Sequence, residues 1–159
     1  MNALNAQIKK LITTFLYVGY LPLIPGTFGS LAGLFIYYFL KENFYILILF
    51  HCLILILGFL LAGETAKLFI RRDPPQIVID EINGMFICFL GLFPGQIGES
   101  PDRLILSLGF IIFRILDAIK PYPANRFHHM RGSLGIMGDD IVAGIYTNII
   151  LRLILFLLK

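Results

Sequence analysis

Apolar residues run along this chain in long blocks, with the polar positions gathered between them. Residues 4–20 form the first block and predict a helix lying at an interface or partly inserted, ended by Pro22, Pro25 and Gly26. Leu31–Leu40 follows and closes at Lys41-Glu42-Asn43. Phe44–Ala62 is apolar over 19 residues except for His51, close to the roughly 20 residues a helix needs to cross hydrocarbon. A polar stretch runs from Lys67 through Arg71, Arg72, Asp73, Pro74 and Pro75. Ile82–Phe93 is apolar but short, and spans only if Ile77–Glu81 extends it within protein. Pro94, Gly95, Gly98 and Pro101 mark a loop over 94–103. Leu104–Ile119 is the next block, stopped by Pro121 and Pro123. Residues 122–138 read as a polar connection, after which Asp139 or Asp140 is expected to open a last helix ending at Leu158.

Composition turns this pattern into a class. Hydrophobic residues are 58% and charged residues 14%, against about 45–50% and 25% in soluble domains. So apolar a chain cannot cover a water-facing surface, and the fold expected is a compact all-helical, multi-pass membrane bundle, one domain over 1–159. Residues 1–22 are expected to belong to the mature protein, because Pro22–Ser30 does not resemble a cleavage region. The net charge of +3 does not form the basic stripe of a nucleic-acid binder.

Threading the blocks alternately through a bilayer brings residues 1–30, 63–81 and 120–140 to one side. Of the 13 Lys and Arg, nine fall on or near that side (Lys9, Lys10, Lys67, Arg71, Arg72, Arg114, Lys120, Arg126, Arg131), which makes it cytosolic by the positive-inside bias. Seven of the ten acids lie on or near the same side: Glu64, Asp73, Asp80, Glu81, Asp117, Asp139 and Asp140.

Among these, Asp80-Glu81 and Asp139-Asp140 are adjacent pairs expected at helix starts, where the dipole favours anions. A cap needs one acid, so two pairs and Asp117 exceed that purpose. Carboxylates crowded near a membrane repel one another and are costly to desolvate. A hard divalent cation held by oxygen ligands relieves both costs and points to Mg²⁺, with Asp80, Glu81, Asp139 and Asp140 as candidate ligands. Each pair also precedes a glycine four residues after its Asp80 or Asp140, Gly84 and Gly144, which permits close helix approach. Arg114, Asp117 and Lys120 stand three apart on one helix. An arginine inside an apolar block is expensive and usually functional, and Arg114 with Lys120 suits phosphate. Asp117 is a candidate metal ligand or general base. Pro25-Gly26-Thr27-Phe28-Gly29-Ser30 reads as a Gly-rich turn whose amides and hydroxyls, Thr27 and Ser30, face a phosphate, without the lysine of a P-loop. Cys52 and Cys88 read as small buried hydrophobes, and His51 as a polar residue inside the bundle. His128-His129 lack a zinc motif.

Four motifs together resemble bacterial phosphatidylglycerophosphatase A: Pro25–Ser30, Asp80–Met85, Phe113–Pro123 and Gly135–Gly144. They occur in the family's order over nearly the whole chain. Asn83, Gly138 and Ala124 depart from its pattern, and residues 125–134 match it poorly, which bears on head-group selectivity. The resemblance implies a Mg²⁺-dependent phosphatase in the bacterial cytoplasmic membrane that converts phosphatidylglycerophosphate to phosphatidylglycerol. The acids singled out above, Asp80, Glu81, Asp117, Asp139 and Asp140, are then expected to form the catalytic machinery, with either water attack or an aspartyl-phosphate on Asp80 or Asp139. Two other classes fit the acids less well. A cation transporter would carry polar residues at mid-membrane, and a CDP-alcohol phosphotransferase would show an Asp-Gly-x-x-Ala-Arg element.

Overall fold

The computed structural model of the protein describes residues 3–92 and 102–157, and among them every regular element is helical. In chain order the helices are α1 (Ala3–Thr13), α2 (Pro25–Leu40), α3 (Phe44–Leu68), α4 (Ile79–Phe89), α5 (Asp102–Ile119), α6 (Ala124–His128) and α7 (Ser133–Leu157), with a 3₁₀ turn at Val18–Tyr20. The loop expected over 94–103 lies mostly outside the described residues. Helices α3 and α7, 25 residues each, are long and apolar enough to cross a membrane. At 1.5 Å per residue each extends about 38 Å.

The short helix α4 is the centre of the packing. It touches α7, α2, α3 and α5. All of its residues except Glu81 and Ile87 are buried. Glycines set its distance from its neighbours. A Cβ on Gly33 of α2 would stand 2.9 Å from Ile82 Cα, and one on Gly144 of α7 would stand 2.7 Å from the Gly84 carbonyl oxygen. The close approach expected from the paired Asp-x-x-x-Gly spacing is therefore present. Such contact matters most where lipid surrounds the helices, because van der Waals packing then replaces the hydrophobic drive. The carbonyls ending α4 are satisfied from α7: Asn148 Nδ2 lies 2.9–3.1 Å from the oxygens of Ile87, Cys88 and Leu90. Arg152 Nη2 donates to Leu90 O at 2.9 Å. Unpaired inside the bundle, those groups would cost several kcal/mol in total, at about 1–3 kcal/mol each.

Several boundaries differ from the expected ones. α1 stops at Thr13, because Phe15, Leu16 and Tyr17 take positive φ of 45°, 54° and 66°. α2 begins at Pro25, so the expected Gly-rich turn is its first turn, with proline at a position that needs no amide hydrogen. α3 runs past Ala62 to Leu68, and its start is capped by Asn43 Oδ1, which accepts from Ile46 N at 3.2 Å. The polar connection contains α6, and α7 opens at Ser133, well before the acids. Gly138 permits this, since a Cβ there would lie 2.6 Å from the Phe127 ring of α6. Cys88 is buried as expected, but Cys52 is exposed, on an outward face of α3 that packs against no other described helix. His51 is buried and stacks on Phe86 at 5.9 Å between centroids.

Candidate active site

A cavity of about 390 Å³ opens where the starts of α2 and α4 meet the end of α5 and the second turn of α7. Asp80, Glu81, Arg114, Asp117, Lys120, Asp139 and Asp140 all line it, with Gly26, Asp73, Pro74 and Pro75. The structure thus brings together seven of the nine residues expected from sequence.

The carboxylates arrive by two routes. Asp80 and Glu81 occupy the first turn of α4, near its free amides. Asp139 and Asp140 do not open α7, so the helix-start argument fails for them. They reach the cavity by helix crossing. α4 and α7 touch at Gly84 and Gly144, and residues four apart share a helix face, so Asp80 and Asp140 stand one turn from that contact.

Oxygens of Asp80, Glu81 and Asp140 lie within 4.8 Å of one another. Asp80 and Asp140 are buried. Asp80 Oδ1 and Glu81 Oε2 are also buried and have no hydrogen-bond partner among the described residues. Native proteins seldom leave such oxygens unmet. All-oxygen, net-negative donors suit a hard divalent cation such as Mg²⁺.

The remaining charges pair. Asp139, expected as a fourth ligand, accepts from the Lys120 ammonium. Burial pulls the Lys120 pKa down, but its bond to Asp139 and the charges of Asp139, Asp117 and Asp140 outweigh this and hold it above the ordinary lysine value. Lys120 sits at φ 49°, a left-handed conformation that side chains seldom adopt outside functional or capping positions. Arg114 Nη1 donates to Asp117 Oδ2 at 2.8 Å.

Thr27 and Ser30 do not line the cavity. Ser30 is buried, donates to Gly26 O at 2.9 Å and accepts from Arg114 Nη1 at 3.4 Å, so it steadies the arginine from behind. Gly26 is the residue of that motif facing the site, where an added Cβ would lie 2.5 Å from Glu81 Oε1. Asp73 went unrecognised in the sequence as a site residue. Its one legible sign is membership of the acid-rich side, and nothing in its local spacing points to Asp80.

A family model described as Phosphatidylglycerophosphatase A matches residues 11–155. The phosphatidylglycerophosphatase A of Escherichia coli (strain K12) is 39% identical over 140 residues, covering 86% of this chain and 77% of that protein. The phosphatidylglycerophosphatase A of Haemophilus influenzae is 33% identical over 129 residues, 79% of this chain and 76% of that protein. A Bacteroides thetaiotaomicron protein provisionally described as a phosphatidylinositol-3-phosphatase is 30% identical over 153 residues, 91% of each. No solved structure matches the chain significantly.

Proposed function

The chain belongs to the phosphatidylglycerophosphatase A family, and on that premise we propose that it hydrolyses the terminal phosphate of phosphatidylglycerophosphate to give phosphatidylglycerol and phosphate. The observation that carries the reading is one cavity holding three clustered carboxylates, two of them with unmet buried oxygens, beside two cations anchored by two further carboxylates.

The roles follow from that division. Asp80, Glu81 and Asp140 would hold Mg²⁺. The ion, when bound, neutralises phosphate charge and acidifies water. Arg114 and Lys120 bind the phosphate oxygens and stabilise charge in the transition state. Asp117 and Asp139 fix those cations in place, with Ser30 behind Arg114. An acid of the cavity, Asp117 or Glu81, orients the attacking water and accepts its proton. The P–O bond to glycerol breaks as the water oxygen bonds to phosphorus, and the acid returns that proton to the departing glycerol oxygen.

The protein acts as one membrane-embedded unit over residues 1–159. α3 and α7 cross the bilayer, and the cavity opens at the cytosolic face of the bacterial inner membrane. Nine of 13 basic residues fall on or near that side, which supports the orientation. The acyl chains of the substrate stay in lipid while its phosphate enters the cavity.

The test is phosphate release by the protein purified in detergent, with Mg²⁺ or EDTA, on phosphatidylglycerophosphate and on phosphatidylinositol 3-phosphate. Mg²⁺-dependent release from the first, lost in Asp80→Asn, is expected. Preference for the inositol lipid would overturn the head-group reading. No release from either by a folded protein, with cation flux in liposomes, would favour a transporter.

A further inference from the structure

A second cavity, about 370 Å³, lies where α3 ends and α7 begins, lined by Lys67, Arg71, Arg72, Arg131, Gly132 and Ile70, with Gly63 and Ala66 of α3. Its charge balance is opposite to that of the catalytic cavity. No acid lines it. Lys67 is engaged by Glu64 at 2.6 Å, but Arg71, Arg72 and Arg131 make no ion pair among the described residues. The surrounding frame is firm. Gly63 N donates to Ser133 Oγ at 2.9 Å, and a Cβ on Gly63 would stand 2.6 Å from Ser133 N, so α3 and α7 are clamped at this level. The mouth is open: a Cβ on Gly132 would meet nothing within 4 Å.

Beside the arginines Ile70 is 94% exposed, on a turn with φ 53°. A branched aliphatic side chain held outward among cations suits neither a protein core nor bulk water. It suits a boundary where phosphate groups meet acyl chains. Arg71 and Arg72 follow one candidate span and Arg131 precedes the other, which is the position of basic head-group pockets.

We propose that this cavity binds the phosphate of an anionic phospholipid head group, separately from the substrate held in the catalytic cavity. Arginine supplies paired N–H donors to phosphate oxygens, and Ile70 contacts the glycerol and upper acyl region. The proposal rests on the membrane-embedded reading, and not on the phosphatase reaction.

The experiment is native mass spectrometry of the full chain in detergent, titrated with phosphatidylglycerol or phosphatidylcholine. The wild type is compared with an Arg71→Gln, Arg72→Gln, Arg131→Gln variant, and each is tested with millimolar inorganic phosphate as competitor. Three basic contacts near a head group predict phosphatidylglycerol affinity lower by on the order of 100-fold in the variant. Phosphatidylcholine binding should not change, and phosphate release should stay within about twofold of wild type. Arg131→Gln alone, expected to weaken binding about fivefold, keeps the test informative if the triple variant misfolds. Equal phosphatidylglycerol affinity in variant and wild type overturns the proposal. So does a loss equally large for phosphatidylcholine, or displacement of the lipid by inorganic phosphate, which would mark a free-anion site. Because the readout is binding, failure of the phosphatase reading leaves it intact.

Discussion

Gly26→Ala separates chemistry from folding at this site. Gly26 is the second residue of α2 and faces the cavity. An added Cβ would stand 2.5 Å from Glu81 Oε1 and 3.5 Å from Arg114 Nη1, where ordinary contact begins at 3.4 Å. The Glu81 carboxylate must therefore retreat by about 0.9 Å, while Arg114 has no need to move. The obstructing atom is the end of a flexible side chain, so the backbone does not have to yield. Alanine is also the better helix former, by roughly 0.5–1 kcal/mol in a helix interior and by less in a first turn. Thermal unfolding should stay level or rise slightly. Catalysis should suffer, because a misplacement of about 1 Å in a reacting site can cost on the order of 10²-fold. The assay is kcat/KM for phosphate release across a Mg²⁺ titration, beside a melting curve of the same preparation. In a Glu81→Asp background the shorter side chain leaves room for the Cβ, so the added loss from Gly26→Ala should shrink, a coupling between neighbours. Turnover within twofold of wild type at unchanged Mg²⁺ requirement would refute the reasoning, because Glu81 would not then need its present position.

Lys120→Met removes the ammonium bound to Asp139 and should lower kcat by about 10²–10³-fold, the range for losing a transition-state charge partner, as measured by single-turnover phosphate release. Gly84→Ala drives a Cβ to 2.6 Å from the Phe113 ring and 3.1 Å from the Asp140 carbonyl oxygen, and this overpacking should cost about 1–3 kcal/mol in a melting experiment. Asn148→Leu strips the carbonyls of Ile87, Cys88 and Leu90 of their shared donor and should destabilise by about 1–3 kcal/mol while kcat at low temperature holds.

The long apolar blocks were legible because lipid-facing helices need no patterning beyond length, so α3, α5 and α7 lie where the sequence suggests. Boundaries were less so, for identifiable reasons. Pro25–Ser30 has the composition of a turn, yet it is helical, because proline suits a first helical position and Gly29 fits against Val78, whose Cβ would be 2.7 Å from a Cβ at Gly29. The start of α7 was hidden by glycines that exist for Phe127 and Met130 to pack on. At the site, charge counting found the acids and cations, and the three-residue spacing anticipated the Arg114–Asp117 pair, but Lys120 pairs with Asp139 of α7 and not with Asp117. Which carboxylate faces a lysine and which faces other carboxylates depends on the rotation of α7 against α4, and the Gly84–Gly144 contact sets that rotation. Asp73 and the inward role of Gly26 depend on the same three-dimensional closure.

At 11 residues α4 is about 16 Å long, half the thickness of a bilayer's hydrocarbon, and its shell is protein on nearly every side. Asp80 and Glu81 therefore complete their surroundings only once α7, the last described helix to leave the ribosome, has docked. A nascent chain ending before Ser133 carries four of the six acids that line the cavity but lacks Asp139, Asp140 and the α7 wall that closes over them. Catalytic competence is thus a late event in biogenesis, and until then α4 is a segment awaiting its place, exposed to whatever membrane quality control surveys unfinished helices.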